Sequence, residues 1–405
     1  MNVRDFIRSE WERCVREYKE QTVEGFFSLP YKFVPPSSRY EGFFPFICYW
    51  DTYFTNLGLI IDGHVDYAQY NTDNIKYLID KMGYMPNAAG STFANRSQFP
   101  VYAQLVWDVY SVTGNLGWLD YSLMSLEKEY YDFWMKKRIA PCGLNHYDTS
   151  ATGPECDEFY DYVGTRIDQS AIPVNEKTAY GRHFFAEAES GWDFNARFYH
   201  RCRDFAPVDL NSQLFVYEKI LKQIYEVFGA SEKAQNMADA MQRRTELMDR
   251  YCKNKENGIY YDYDYVNDKL SEVESCASFL PYYAGISKDA EGIKKLLPIL
   301  ELEYGLSCCK KVDKNYQWGY PNMWPNLMYF AYTALSNCGL QDDADRVALK
   351  YMETVERSYA RTGKVWEKYD AKTGLPTEVN EYGISELLGW AAGVYCYFDD
   401  KKVRK

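Results

Sequence analysis

Apolar residues recur at spacings of three and four through most of the chain, and the alternation typical of strands is rarely sustained. The pattern predicts a mostly helical protein. Many of its helices are joined by short turns that contain Gly or Asn, which favour antiparallel hairpins. The predicted helices are 2–22, 51–62, 67–82, 98–112, 117–136, 209–229, 231–254, 274–285, 289–302, 323–338, 341–360 and 384–398.

The segments between these helices include long connections that hold most of the Pro, Gly and paired aromatic residues. Connections of this length in compact proteins are usually functional or disordered, and their Trp, Tyr and acid content favours function. Helical hairpins that close into a ring would bring them together at its mouth, although an open helical solenoid has a similar periodicity. No Pro/Ser-rich linker or block of charge divides the chain, so we predict a single domain over 1–405. The long connections are 23–50, 84–97, 140–208, 256–273, 305–322 and 362–383.

Composition and charge indicate which kinds of binding partner the protein can have. The net charge of −12 disfavours nucleic acid and anionic membrane surfaces, since both bind mainly through Lys and Arg. The 39 Tyr, 22 Phe and 10 Trp residues can line a polar, aromatic cavity. The first thirty residues lack a continuous apolar core and no apolar run reaches membrane-spanning length, so we expect neither a signal peptide nor a membrane anchor.

The cysteines and histidines predict no metal site. Eleven cysteines are scattered without metal-ligand spacing, which is typical of a reducing, cytoplasmic location. The four histidines form no HExxH or similar cluster. We therefore expect no cofactor, and the sequence carries no signal for an oligomeric state.

Two segments pair an acid with an indole in a way that suggests sugar chemistry. They are 188–193, which ends in Trp192-Asp193, and 365–370, which contains Trp366-Glu367. A carboxylic acid can protonate a glycosidic oxygen, and an aromatic face can lie against a pyranose ring. The alternative for the first segment is a buried Trp beside an Asp that caps a helix. Trp107-Asp108 lies inside a helical pattern, and we interpret that pair as structural.

Short motifs follow one another along nearly the whole chain, and in this order they resemble the trehalase family of glycoside hydrolases. The resemblance implies an all-α (α/α)6 barrel, a six-hairpin toroid with long active-site loops, which hydrolyses α,α-trehalose with inversion. The motifs are Ser28-Leu29-Pro30, 33–40, 49–54, Met85-Pro86-Asn87, Asn95-Arg96-Ser97-Gln98, 188–197, 207–212, 317–325, Glu367-Lys368-Tyr369, Glu381-Tyr382 and 389–394.

The same resemblance implies roles for individual residues. Asp193 matches the general acid and Glu367 the general base, with Glu381 the second choice for the base. Inversion requires carboxyl groups about 6.5–9.5 Å apart, so that a water fits between them. Trp50 and Trp318 have a structural alternative as core aromatics, and Arg96 as an ion-pair partner. The expected substrate-binding residues are Arg39, Trp50, Asp51, Asn87, Arg96, Gln98, Trp192, Gln317, Trp318 and Glu381.

Several departures from the family pattern bear on the substrate. Four extra residues separate Arg39 from Trp50-Asp51, and Gly153 stands where trehalases have a sugar-contacting arginine. Gly319 replaces an aspartate, and the N-terminal extension of many trehalases is nearly absent. Asn326 and Tyr329 are similar to the pattern of the related mannosylglycerate and glucosylglycerate hydrolases.

We therefore predict an inverting hydrolase of a small α-glucoside, with trehalose first and a glycerate glycoside second. A glycerate substrate would need an additional cation or hydroxyl cluster on the leaving-group side. A non-catalytic carbohydrate-binding protein and a helical scaffold for protein partners are the alternatives of another class. Phosphorolysis requires a cradle for phosphate, and near 365–370 the chain offers only Lys364 and Lys368.

Overall fold

The computed structural model describes residues 1–17, 25–36, 45–170, 172–314, 316–377 and 388–403. The predicted helical class is confirmed. The α-helices in these ranges are α1 (Val3–Cys14), α2 (Tyr49–Ile61), α3 (Val65–Met82), α4 (Tyr102–Thr113), α5 (Leu116–Glu127), α6 (Met135–Lys137), α7 (Gly153–Val163), α8 (Lys177–Ser190), α9 (Val208–Val227), α10 (Ser231–Tyr251), α11 (Leu280–Ala284), α12 (Ala290–Leu300), α13 (Pro325–Asn337), α14 (Gln341–Thr362) and α15 (Leu388–Asp400).

Helices α2, α4, α9, α11, α13 and α15 form a closed inner ring. Each of them packs against the next, and α15 packs against α2 to complete the circle. Helices α1, α3, α5, α10, α12 and α14 lie outside and cover this ring. The arrangement is an (α/α)6 barrel, so the open-solenoid alternative is wrong.

Burial explains which helices lie inside. Ten of the thirteen residues in each of α2, α13 and α15 are buried, as expected for a helix surrounded by other helices. The outer helix α10 instead buries a single stripe, Ala234, Met237, Arg244 and Met248, at spacings of three, four and seven.

Two predicted segments differ from the structure. The helix predicted over 2–22 ends at Cys14, because Arg16 leaves the helix and pairs with Phe33 through two backbone hydrogen bonds of 2.8 and 2.9 Å; residues 18–22 lie outside the described part. The connection predicted over 140–208 contains α7 and α8, and α7 begins with a capping box between Thr152 and Glu155.

Short strands fasten the loops at one end of the barrel. β1 (Phe205–Ala206), β2 (Tyr263–Asp264) and β3 (Lys269–Leu270) form one antiparallel sheet, and β4 (Asn322–Met323) pairs with β5 (Tyr369–Asp370) in another. In the second sheet Asn322 lies opposite Asp370, which brings the 317–324 segment beside Glu367. Within the described ranges, none of the helices combines the length and apolar character needed to cross a membrane.

Candidate active site

A cavity of about 670 Å³ opens where the loops preceding the inner helices converge, and its volume is within the range typical of small-molecule sites. Aromatic side chains form much of its wall, with polar and charged groups between them. The lining residues are Phe46, Cys48, Trp50, Asp51, Asn87, Ala88, Thr92, Phe93, Asn95, Arg96, Gln98, Glu155, Glu158, Phe159, Tyr162, Arg166, Phe185, Ala188, Gly191, Asp193, Trp318, Trp324, Glu367 and Trp390.

Asp193 reaches this cavity on a tight loop at the end of α8. Helix α8 ends at Ser190, and the next residue, Gly191, has a φ of 79° and lies so close to Trp50 that a Cβ would be 2.9 Å from its ring. The loop is then held by hydrogen bonds from the Trp192 amide to the Ser190 hydroxyl (3.0 Å) and from the Asn195 amide group to the Trp192 carbonyl (2.6 Å). The local sequence therefore aims the next side chain, Asp193, into the cavity.

Burial and two nearby cations act in opposite directions on the Asp193 carboxyl. About a third (34%) of the Asp193 side-chain surface is exposed, and the residue lines the cavity. Burial raises the pKa of Asp193, while the nearby charges of Arg166 and Arg96 partly offset that rise. Nη1 of Arg166 lies 3.3 Å from Oδ2 of Asp193.

Glu367 is a buried carboxyl that lies beside a buried cation. The residue lies between α14 and β5, separated from β5 by Lys368, and its side chain is 3% exposed. The Lys368 ammonium, itself buried against the Trp324 ring, donates to Oε2 of Glu367 at 3.0 Å. The Trp390 indole donates to the Glu367 carbonyl at 3.1 Å, which fixes the main chain at this point.

Asp51 is a third carboxyl in the same cavity, in the first turn of α2. Burial raises its pKa to about 8, and the nearby charges of Glu367 and Asp193 add to the rise. Asp51 is therefore close enough to Glu367 and to Asp193 for both charges to act on it. Near neutral pH Asp51 holds a proton and can donate a hydrogen bond to a sugar hydroxyl.

Asn87, Arg96 and Gln98 also line the cavity, and hydrogen bonds fix all three. The Asn87 side chain donates to the Ala188 carbonyl at 3.0 Å, and Gln98 Oε1 accepts the backbone N–H of Trp50 at 2.9 Å. Arg96 donates to the side chain of Asn95 at 2.8 Å, and burial lowers its pKa to about 10. These contacts join the loop before α4 to the ends of α2 and α8.

Two of the predicted binding residues that the structure describes, Trp192 and Gln317, do not line the cavity. Trp192 lies behind the wall, with its ring centroid 5.3 Å from that of Trp318 and the Arg197 guanidinium 4.6 Å from its own. Gln317 is buried, and its carbonyl accepts the Trp324 indole N–H at 3.1 Å. Arg39 and Glu381 lie outside the described residues.

The structure adds Arg166, Lys368, Trp324 and Trp390 to the site residues expected from the sequence. The two tryptophans and Lys368 belong to motifs quoted above, so position within a motif was the available signal. Arg166 had a different signal, because it continues the face of α7 whose start is marked by Thr152 and Glu155. Arg166 supplies a cation to the cavity, whereas Gly153, which stands where trehalases have an arginine, has no charged side chain.

Comparison with known proteins identifies the family. The model of the trehalase family matches residues 3–401, which is almost the entire chain. The chain belongs to the trehalase family. It is therefore a glycoside hydrolase, rather than a non-catalytic binding protein or a scaffold on the same fold.

Solved structures of trehalase-clan enzymes share the fold. The neutral trehalase of Saccharomyces cerevisiae superposes with a TM-score of 0.78 at 22% identity, over 100% of this chain and 80% of the yeast chain. The mannosylglycerate hydrolase of Thermus thermophilus, solved with Tris and D-glycerate, gives 0.61 at 15% identity over 98% and 99% of the two chains. At these identities the similarity describes the barrel, and the substrate has to be argued from the cavity.

Proposed function

We propose that this trehalase-family hydrolase cleaves α,α-trehalose with inversion, using Asp193 as general acid and Glu367 as general base. The observation that carries the proposal is that two carboxyls distant in sequence line one cavity, each with a buried cation within 3.3 Å. Burial raises the pKa of Asp193, as a general acid requires, and the Lys368 ammonium donates a hydrogen bond to Glu367 at 3.0 Å.

The proposed reaction needs these two groups and one water. Asp193 donates its proton to the glycosidic oxygen as the C–O bond breaks, and Glu367 takes a proton from the water that attacks the anomeric carbon from the opposite face. One glucose leaves as the neutral leaving group and the other is released as the β-anomer. The aromatic wall and the protonated Asp51 bind the ring that is attacked.

Variants of the two carboxyls test the assignment. We expect Asp193→Asn and Glu367→Gln each to lower kcat on trehalose by about 10³-fold while thermal unfolding stays cooperative. Asp108→Asn is the control, because Asp108 also follows an indole but does not line the cavity. Near-normal turnover by either site variant would remove that residue from its proposed role.

Two further measurements separate acid from base. Fluoride needs little protonation to leave, so Asp193→Asn should hydrolyse α-glucosyl fluoride far better than trehalose. Azide should restore turnover to Glu367→Gly by replacing the activated water. If azide instead restores Glu381→Gly, then Glu381 is the base.

A glycerate glycoside is the second candidate substrate. Arg166 favours it, because an additional cation in the cavity is what an anionic leaving group requires. Purified protein should be assayed with trehalose, kojibiose, glucosylglycerate and mannosylglycerate, with the released anomer followed by NMR. Early appearance of the β-anomer from trehalose supports the first candidate, and turnover confined to the glycerates supports the second.

A further inference from the structure

One face of α7 lies along the cavity beside Asp193, together with Arg166 in the turn after the helix. Glu155, Glu158, Phe159 and Tyr162 recur at spacings of three and four, and Arg166 continues the series beyond the end of the helix. All five line the cavity. The segment therefore places a cation on the same wall as the proposed acid.

Arg166 contacts Asp193 at two different atoms. Nη1 lies 3.3 Å from the carboxylate Oδ2, and Nη2 lies 3.4 Å from the main-chain carbonyl oxygen of the same residue. A planar guanidinium that donates to both oxygens fixes the side chain relative to the backbone, which a point charge cannot do. The geometry restricts rotation of the Asp193 carboxyl.

The Arg166 side chain is itself held rigidly. It is only 6% exposed, and its guanidinium lies 4.9 Å from the Phe194 ring centroid and 5.8 Å from that of Tyr162. Backbone hydrogen bonds from Arg166 (2.8 Å) and Ile167 (3.0 Å) to the Val163 carbonyl fasten the turn after α7. The orientation of Asp193 thus depends on an element separate from its own loop.

We propose that Arg166 is a positioning residue for the general acid: it aims the Asp193 carboxyl at the leaving-group oxygen and stabilises the carboxylate left after proton transfer. This inference rests on the proposed role of Asp193. Because a general acid meets the leaving group, it also assigns the α7 face to the leaving-group side of the cavity. The proton moves from Asp193 to the departing oxygen, and Arg166 keeps its own protons throughout.

The pH profile of Arg166→Gln tests the proposal. Loss of the guanidinium removes an influence that lowers the pKa of Asp193, so the basic limb of kcat/KM should move to higher pH. We also expect kcat on the disaccharide to fall about tenfold or more, with a much smaller loss on α-glucosyl fluoride. Arg4→Gln is the control, because Arg4 in α1 forms a comparable ion pair with the buried Asp62. Its loss should lower thermal stability without shifting the basic limb of the kcat/KM profile.

Arg166→Lys provides a second readout, and the only one needed if Arg166→Gln does not fold. Lys keeps the charge but cannot span both oxygens of Asp193, so the limb should stay near its original pH while disaccharide turnover falls. The proposal is overturned if Arg166→Gln leaves the limb in place and slows both substrates equally, or if Arg166→Lys retains full turnover. Failure of the proposed function is distinguishable, because Asp193→Asn would then remain active.

Discussion

At Gly191 the chain leaves α8 and passes directly over the Trp50 indole before it reaches Asp193. Two features require glycine at this position. The backbone has a φ of 79°, and the Trp50 ring leaves no space for a Cβ. The position of the catalytic carboxyl in the proposed mechanism thus depends on one missing methyl group.

Gly191→Ala should therefore impair activity more than stability. The left-handed backbone costs about 1 kcal/mol for a residue with a Cβ, and contact with Trp50 should also shift the loop and lower kcat by about tenfold. Gly229→Ala is the matched control, because Gly229 has a φ of 69° with nothing within 4 Å of the added Cβ. Equal kcat values for the two variants would show that the loop tolerates the displacement.

The 191–197 loop is fastened at its far end by another buried arginine. Arg197 pairs with Asp209 at 2.8 Å and with Asp262 at 2.7 Å, and all three side chains are buried. Its backbone carbonyl accepts the Ser271 hydroxyl at 2.9 Å. The loop is thus tied at both ends, which is how a loop can hold a proton donor in a fixed geometry.

At the scale of helices, the crossing of α2 and α15 closes the ring. A Cβ on Gly393 would lie 1.8 Å from the Phe54 carbonyl oxygen, and one on Gly58 would lie 3.0 Å from the Cα of Gly393. The backbones of the two helices therefore touch. A side chain at this crossing would force the first and last inner helices apart.

Gly393→Ala should destabilise the protein by at least about 3 kcal/mol, because overpacking at a backbone contact has no low-cost relaxation. Gly117→Ala is the control in α5, where the nearest atom to the added Cβ is 3.6 Å away. There the higher helix propensity of Ala should leave stability unchanged or raise it by about 0.5 kcal/mol. Urea unfolding of the two variants checks this, and equal midpoints would contradict the close crossing.

Periodicity located most inner and outer helices to within a few residues, but it made α11 too long and missed α7 and α8. In α8 the buried positions include Glu187, Glu189 and Ser190, so the buried face is partly polar and the apolar pattern is broken. Glu189 is buried because it pairs with Arg138 at 2.8 Å and accepts the Ser97 N–H at 2.8 Å, contacts that no local pattern reveals.

The sequence also predicted the active-site residues only in part. Motif order was enough to name Asp51, Asn87, Arg96, Gln98, Asp193 and Glu367, all of which line the cavity. Arg166 came from a segment without a motif, and Trp192 was expected in the cavity but lies behind it. Which side of a loop faces a cavity depends on tertiary packing, and sequence spacing does not contain that information.

At the scale of the whole molecule, Glu129 joins several parts of the barrel. It accepts hydrogen bonds from Tyr49 at the start of α2 and Tyr217 in α9, and the Met85 N–H approaches it at 3.4 Å. Burial raises its pKa from 4.5 to about 7. The folded protein therefore keeps this proton at pH values where the unfolded chain has released it.

The stability contribution of Glu129 should fall as pH rises. Between pH 4.5 and about 7 the unfolded chain binds fewer protons at this site than the folded one, so the free energy of unfolding decreases across that window by up to about 3 kcal/mol. Glu129→Gln removes this dependence, and the difference between wild type and variant in urea unfolding measures it. A constant difference from pH 4.5 to about 7 would contradict the burial of this proton. Glu226→Gln is the control, because the Glu226 side chain in α9 is 52% exposed.

The tryptophans of the cavity wall give the protein a built-in optical label. Trp318 and Trp324 stack with centroids 3.8 Å apart and planes within 2°, and Trp390 meets Trp324 edge-on at 5.4 Å. Indoles so close exchange excitation energy, and the ammonium of Lys368, 5.0 Å from the Trp324 ring centroid, adds a strong local field. A sugar that displaces water from this wall changes the medium around the emitting rings, so occupancy can be followed through ultraviolet emission without a dye.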